Sequence, residues 1–392
     1  MRKKGAPAIA VVAALIAAPS ARASVEWDVT GHGFGHGVGM SQYGAYGYAL
    51  HGKGYRFILA HYYQGTTIGT LTEPRIVRVL VGIDGGDVPF SGATSACGKS
   101  LEAGRDYEAH RIARSVQLRT SGGKPLANCG RRLRAAGAGR VTIGGVPYRG
   151  ALEVVPTESD VGSLNAVNAL PVDQYVKGVV ANESPASWPQ EALRAQAVAA
   201  RSFALTGSVG GNGFDLYDDT RSQVYKGLAA ETAATDEAAE ATRGQVLLYG
   251  GKVAQAYFSA CSGGHTESVQ NVFFGPPVPY LVGVPDPYDG ACPLHTWHLK
   301  FSQGEIDAKL GSYLNGALKQ VTITKRGVSP RIVEAKLIGT GGGAGIRGDQ
   351  LESALGAYST WMSFQKLVNG KPSGGESGGG EQPSGPAGGV GG

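Results

Sequence analysis

Beyond residue 18 the chain contains no apolar stretch long enough to cross a bilayer, and it has no large excess of charge of either sign. The first absence leaves no candidate for a membrane-spanning helix in the body of the chain. The second excludes a polycation. The 392 residues carry a formal net charge of +5, and Arg2, Lys3, Lys4 and Arg22 supply four of those charges in a segment without acids, which leaves +1 from Ser24 onward. Two missing motifs narrow the chemistry. The run Gly31-His-Gly-Phe-Gly-His-Gly-Val-Gly-Met-Ser-Gln42 satisfies G-x-G-x-x-G at no register, so it is not a dinucleotide loop. Ser262 does not sit in a G-x-S-x-G elbow, which disfavours a serine hydrolase. No internal repeat is found.

What is present points outside the cell. Arg2 to Lys4 give a positive start, Ala8 to Ala18 is uncharged and apolar, and Ala21-Arg22-Ala23 is an A-x-A cleavage signal. Residues 1–23 therefore read as a secretory signal, with an uncleaved anchor as the alternative. Export removes nucleic acid as a partner. It also gives meaning to the four cysteines, Cys97, Cys129, Cys261 and Cys292: an even number in an exported chain suggests disulfides, with neighbours paired in the simplest arrangement. For the second pair zinc is the alternative, because His265, His295 and His298 lie close by in sequence. Residues 99–140 hold ten Lys/Arg against Glu102, Asp106 and Glu108, a local +7. That segment is either a solvated basic face or a contact for anionic wall polymer.

Glycine reaches 63 residues, partly because Lys371 to Gly392 is nearly all Gly, Ser, Pro and Glu/Gln. A stretch without apolar residues to bury is expected to be disordered, so residues 368–392 read as a tail. Between the ends, residues 24–70 read as a strand, the glycine-histidine run and two short helices. Residues 71–155 alternate as strands and read as a β-rich inserted module, with Gly144-Gly145 marking a hairpin. Residues 156–367 mix helices, over Val172–Val180 and about Pro189–Leu205, with hairpins such as the one at Gly250-Gly251. Ser187 with Gln190 fits a capping box. Alanine at 192, 195, 197, 199, 200 and 204 marks the second helix as one that neighbours approach closely. The fold class is α+β, helices packed with antiparallel hairpins.

Three segments carry groups suited to chemistry. In Asn182-Glu-Ser-Pro-Ala-Ser-Trp-Pro189, Glu183 ends a helix in a loop stiffened by prolines and walled by Trp188. A carboxyl held partly out of water beside an aromatic ring keeps its proton and can act as a general acid, though an ordinary surface acid is the plainer alternative. In the glycine-histidine run, His32 and His36 are either proton carriers or ligands, or members of a tight structural turn. Ser259 to Glu267 follows a strand and offers backbone N–H groups to a polar ligand, or is a surface turn tethered by Cys261.

Taken together these segments resemble the SpoIID/LytB family, named for stage II sporulation protein D and the amidase enhancer. The resemblance rests on Asp173 to Leu205, Ser222-Gln-Val-Tyr-Lys-Gly227, Ser262-Gly-Gly-His-Thr-Glu267 and Gly35-His-Gly-Val-Gly-Met-Ser-Gln-Tyr-Gly-Ala45, with Tyr62 to Thr66 and Ser359-Thr360 as smaller features. It implies a lytic transglycosylase acting on peptidoglycan glycan strands, with Glu183 of the E-x-P-x-x-W segment as the catalytic residue. It further implies a cleft lined by Arg201, Gln223, Tyr225, Ser262, His265, His36, Ser41, Gln42 and Trp188. No cofactor is implied, with zinc at Cys261 and His265 the alternative. The amidase-enhancer branch implies instead a wall-bound protein that stimulates an amidase. In the family the Gly-His-Gly-Val-Gly-Met segment usually follows the catalytic part, whereas here it precedes it, as in a circular permutation.

Overall fold

A computed structural model describes residues 24–373, apart from 138, 159–161, 208–210 and 212. The expected signal segment and residues 374–392 of the expected tail lie outside the described residues. Residues 368–372, assigned to that tail by composition, are instead part of a paired strand end. Leu367 and Val368 pair with Pro372 and Lys371 across a turn at Asn369-Gly370, two residues with positive φ, which is the geometry of a two-residue hairpin.

The architecture is α+β. Helices α1 (Gln42–Leu50), α2 (Tyr55–Tyr62), α3 (Val172–Glu183), α4 (Gln190–Thr206) and α5 (Ala233–Ala241) lie among several sheets, most of them antiparallel. A seven-stranded sheet has Ile76–Asp84, Leu164–Pro171 and Ala151–Pro156 as consecutive neighbours near its centre. Strands expected in the β-rich module thus sandwich and pair with one expected in the catalytic unit. Val79, Leu133 and Leu152 share a single buried cluster with Val176 and Val180 of α3 and Leu193 and Ala197 of α4. The basic segment runs largely through a second, six-stranded sheet beside it.

Helix α4 is the central element, as its alanines suggest. Leu193, Ala197, Ala200 and Ala204 pack toward the sheet, and Ala195, Val198 and Ala199 pack toward α1, α2 and Leu247. Side chains this small let two cores share one helix. Its start differs from expectation. The residue preceding the helix is Pro189, which has no side-chain donor or acceptor, so no capping box forms with Ser187. Gln190 turns instead to the backbone carbonyl of Ala234. Capping boxes form elsewhere, at α5, where Thr232 and Thr235 bond reciprocally, and between Ser302 and Glu305.

The N-terminal strand Val25–His32 inserts between Thr296–Ser302 and Met362–Val368, with Trp27 and Val29 buried in a third core. The short strand Met40–Ser41 then pairs in parallel with Phe258–Ser259. These two pairings carry the start of the chain back onto its later half.

Candidate functional site

Glu183 is the last residue of α3, just before the loop that leads through Pro185 and Trp188 into α4. Its carboxylate is half-buried. One oxygen accepts a hydrogen bond from the backbone N–H of Val224 (3.0 Å), and the other from the side-chain amide of Gln42 (3.2 Å). The same amide also donates to the Glu183 carbonyl at 3.0 Å, bridging the helix end. Burial pushes the Glu183 carboxyl above the usual glutamate range, and the bonds from Val224 and Gln42 pull only partly against it. No neighbouring charged side chain contributes to the shift.

Gln42 opens α1, and the N-terminal segment therefore reaches Glu183 in space despite its position in sequence. Ser41 caps α1: its hydroxyl accepts from the Gly44 N–H at 3.0 Å, and its side chain is buried. Tyr43 and Tyr46, one turn apart on α1, both face Trp188, with ring centroids 5.1 and 5.0 Å from it. Gln42, Glu183 and this aromatic trio form one locus. Trp188 was legible in the sequence. The two tyrosines were not singled out, although their spacing next to Gln42 already places them on adjoining faces of a helix.

Several expected cleft residues are scaffold. Arg201 is fully buried on α4. Its Nε donates to Asp173 at 2.7 Å, and its terminal nitrogens bond to the carbonyls of Gln245 and Ala239. It ties α3, α4, α5 and the following strand together and presents nothing to a ligand. Tyr225 is buried with its hydroxyl on Asn168 Oδ1 (2.8 Å), and Gln223 is buried against the Tyr175 hydroxyl (3.1 Å). Their place in the argument is indirect, since both flank Val224, whose N–H meets Glu183.

The glycine-histidine run also turns inward. A Cβ on Gly39 would lie 2.1 Å from the Tyr257 carbonyl oxygen, and one on Gly37 would lie 2.4 Å from the Arg331 guanidinium carbon; both residues have positive φ. The glycines serve close protein packing rather than close approach of a ligand. His36 Nδ1 accepts the Val38 N–H at 3.0 Å, and burial together with the Arg331 cation lowers its pKa to about 4. A histidine so low is neutral at physiological pH and is no proton carrier there. It lines a cavity of about 280 Å³ with Phe273, Phe274, Arg331 and Glu352, and Glu183 is not part of that cavity. His32 lies elsewhere, beside His295 and Trp361.

The third segment is likewise interior. The Ser262 hydroxyl lies 2.7 Å from Asp286 and 3.0 Å from Asp289, and Ser262 is completely buried. His265 Nδ1 is bonded to the Thr266 carbonyl at 2.7 Å. Disulfides join Cys97 to Cys129 and Cys261 to Cys292. The second bond takes both thiolates that zinc would need, and among the described residues no three His, Cys, Asp or Glu side chains group as metal ligands. The donor set does not fit a zinc site at Cys261, His265, Cys292 and His295.

The fold and its locus thus define a disulfide-bonded α+β domain with a half-buried carboxyl walled by aromatic rings. No helix among the described residues is long and apolar enough to cross a membrane. Residues 160–249 match the SpoIID family, described as stage II sporulation protein. The chain is 38% identical over 185 residues to an uncharacterised protein of Brachyspira hyodysenteriae, covering 46% of this chain and 49% of that one. It is 40% identical over 134 residues to the amidase enhancer of Bacillus subtilis, covering 34% and 18%. It is 31% identical over 218 residues to stage II sporulation protein D of Bacillus subtilis, covering 51% and 62%. The chain resembles the SpoIID/LytB family through that segment, and it spans about half the length of the first of these relatives and less than two thirds of the other two. The disulfides accord with an extracytoplasmic place.

Proposed function

We propose that the protein is an exported lytic transglycosylase that cuts peptidoglycan glycan strands, with Glu183 as both acid and base. The observation that carries this reading is the environment of Glu183: a half-buried carboxyl, raised by desolvation, oriented by Gln42 and the Val224 N–H, with Tyr43, Tyr46 and Trp188 beside it. Aromatic faces of this kind suit the apolar faces of sugar rings. Protonated Glu183 gives its proton to the glycosidic oxygen as the C1–O bond breaks. The resulting carboxylate takes the proton of the muramic acid C6 hydroxyl as O6 bonds to C1. A 1,6-anhydro end forms, no water is consumed, and the second carboxylate of a hydrolytic glycosidase is unnecessary. The buried Arg201, Gln223, Tyr225, Ser41 and Ser262 would hold this locus in shape rather than touch glycan.

The test is mass spectrometry of intact and of peptide-stripped glycan after digestion. Anhydro-muramyl products are expected from the native protein. Glu183→Gln, which keeps the size and loses the proton, should lower their rate by about 10²–10⁴-fold. Full activity in that variant would remove Glu183 from the mechanism. The similarity to an amidase enhancer favours one other reading, a glycan-binding protein that stimulates a wall amidase. Glycan binding unchanged in Glu183→Gln, with no anhydro product from any substrate, would select it.

A further inference from the structure

The basic segment of the chain builds a concave site that the Glu183 locus does not use. Between the turn joining Tyr107–Ile112 to Ser115–Thr120 and the end of strand Ala151–Pro156 lies a cavity of about 670 Å³. Four arginines line it, Arg111, Arg114, Arg131 and Arg132, and among the described residues one acid, Glu158, does so. The site is anchored from beneath. Arg111 crosses the turn to the Ala113 carbonyl and reaches the Ser163 carbonyl. The Val116 N–H donates to the Gly130 carbonyl and the Cys129 N–H to Val116, so the segment bearing Arg131 and Arg132 is laced to the hairpin. The Cys97–Cys129 disulfide pins that segment from the other side.

Among the described residues, Arg114, Arg131 and Arg132 have less than one carboxylate each. Arg132 reaches Glu153, but Arg78 and Arg134 bind the same carboxylate, so three cations share one anion. Arg114 and Arg131 are exposed and form no ion pair among the described residues. Like charges gathered in a concavity focus a positive field, and their mutual repulsion is relieved when an anion enters. Guanidinium forks bind oxyanions through paired N–H donors, which lysines cannot reproduce. In a chain whose balance after residue 23 is near neutral, this concentration is local rather than a by-product of overall basicity.

We propose that this cavity binds an anionic polymer of the cell envelope through closely spaced oxyanions, phosphodiester or carboxylate, and so holds the protein on its substrate layer independently of Glu183. The site lies in the β-rich part, outside the matched family segment. The experiment measures binding of the purified protein to poly(glycerol phosphate), to polygalacturonate and to neutral dextran, at salt of about 50 and 200 mM. Dextran should not bind. At least one polyanion should bind, with affinity falling steeply as salt rises. Arg114→Glu/Arg131→Glu should weaken it at least about tenfold, and more than the same charge change on the exposed hairpin strand, Lys319→Glu/Lys325→Glu. Loss confined to the phosphate polymer assigns phosphodiester, and loss confined to polygalacturonate assigns carboxylate. Binding of neither polyanion, or equal weakening by the two charge reversals, overturns the site. Glycan cleavage measured on the same variants should stay unchanged, so failure here is separable from failure of the glycan-cleaving reading.

Discussion

Glu183 shows how burial alone can raise a carboxyl above its usual range. Partial burial supplies the upward shift, and two hydrogen bonds fix the direction of the oxygens without abolishing it. Because the acid must carry its proton, cleavage should decline as pH rises through this raised value, and a rate profile that stays flat into alkaline pH would contradict the role. A second carboxyl offers a cleaner thermodynamic test. Burial raises Glu352 from 4.5 to about 7, although the nearby Arg331 cation works against the rise. A group raised on folding stabilises fully below its unfolded value, and that contribution is lost as pH rises through its folded value. The native protein should therefore weaken between pH 4.5 and about 7 on this account. Glu352→Gln, which cannot ionise, should gain about 1–3 kcal/mol relative to it at pH 8 and almost nothing at pH 4.5. Thermal unfolding at both pH values decides this. Equal differences at the two pH values would show that the group does not titrate as stated.

At the scale of elements, α4 does the organising. It is flanked by α3 and α5 on one side and by α1 and α2 on the other, and Arg201 locks it to Asp173, to the end of α5 and to the strand that follows. Removing the Arg201 side chain leaves the carbonyls of Gln245 and Ala239 without their donors and vacates a fully buried volume, at a cost of about 2–5 kcal/mol. Arg201→Ala is thus expected to lower the unfolding midpoint strongly, and to do so without substrate. A variant with native stability and a raised KM alone would instead place Arg201 at the ligand. The Gly-His segment teaches a related lesson. Its histidines and glycines look like a ligand loop in sequence, yet Gly37 and Gly39 are needed because Arg331 and Tyr257 occupy the space a side chain would take. What the segment delivers to the site is its continuation, Gln42, Tyr43 and Tyr46.

At the scale of the whole molecule, the chain closes on itself. Val25–His32 sits between two late strands, Met40–Ser41 pairs with Phe258–Ser259, and the Cys261–Cys292 disulfide begins two residues after that pairing. The cross-link spans 31 residues, for which chain entropy predicts about 3–4 kcal/mol. Replacing both cysteines by alanine should lower the unfolding midpoint. It should also loosen the register that sets Gln42 against Glu183, so activity should fall before the fold does. An unchanged melting profile would show that the cross-link is dispensable. The four-arginine cavity, by contrast, leans on the other disulfide and should survive this change.

Local pattern was enough for the class of fold, for both helices around Glu183 and for the Gly250-Gly251 and Gly144-Gly145 hairpins, because apolar periodicity and turn glycines act over a few residues. The family likeness was also legible, since it resides in contiguous runs of sequence. What local pattern could not decide is which polar residues end up inside. Arg201, Tyr225, Ser262 and Ser41 read like cleft residues, and each is buried because partners 24 to 245 positions away in the chain complete its hydrogen bonds. The partnership of Gln42 with Glu183 spans 141 residues. The joining of the β-rich strands to the sheet behind α3 is of the same kind. Contacts at such separations depend on how the elements pack together, and only the tertiary structure contains that.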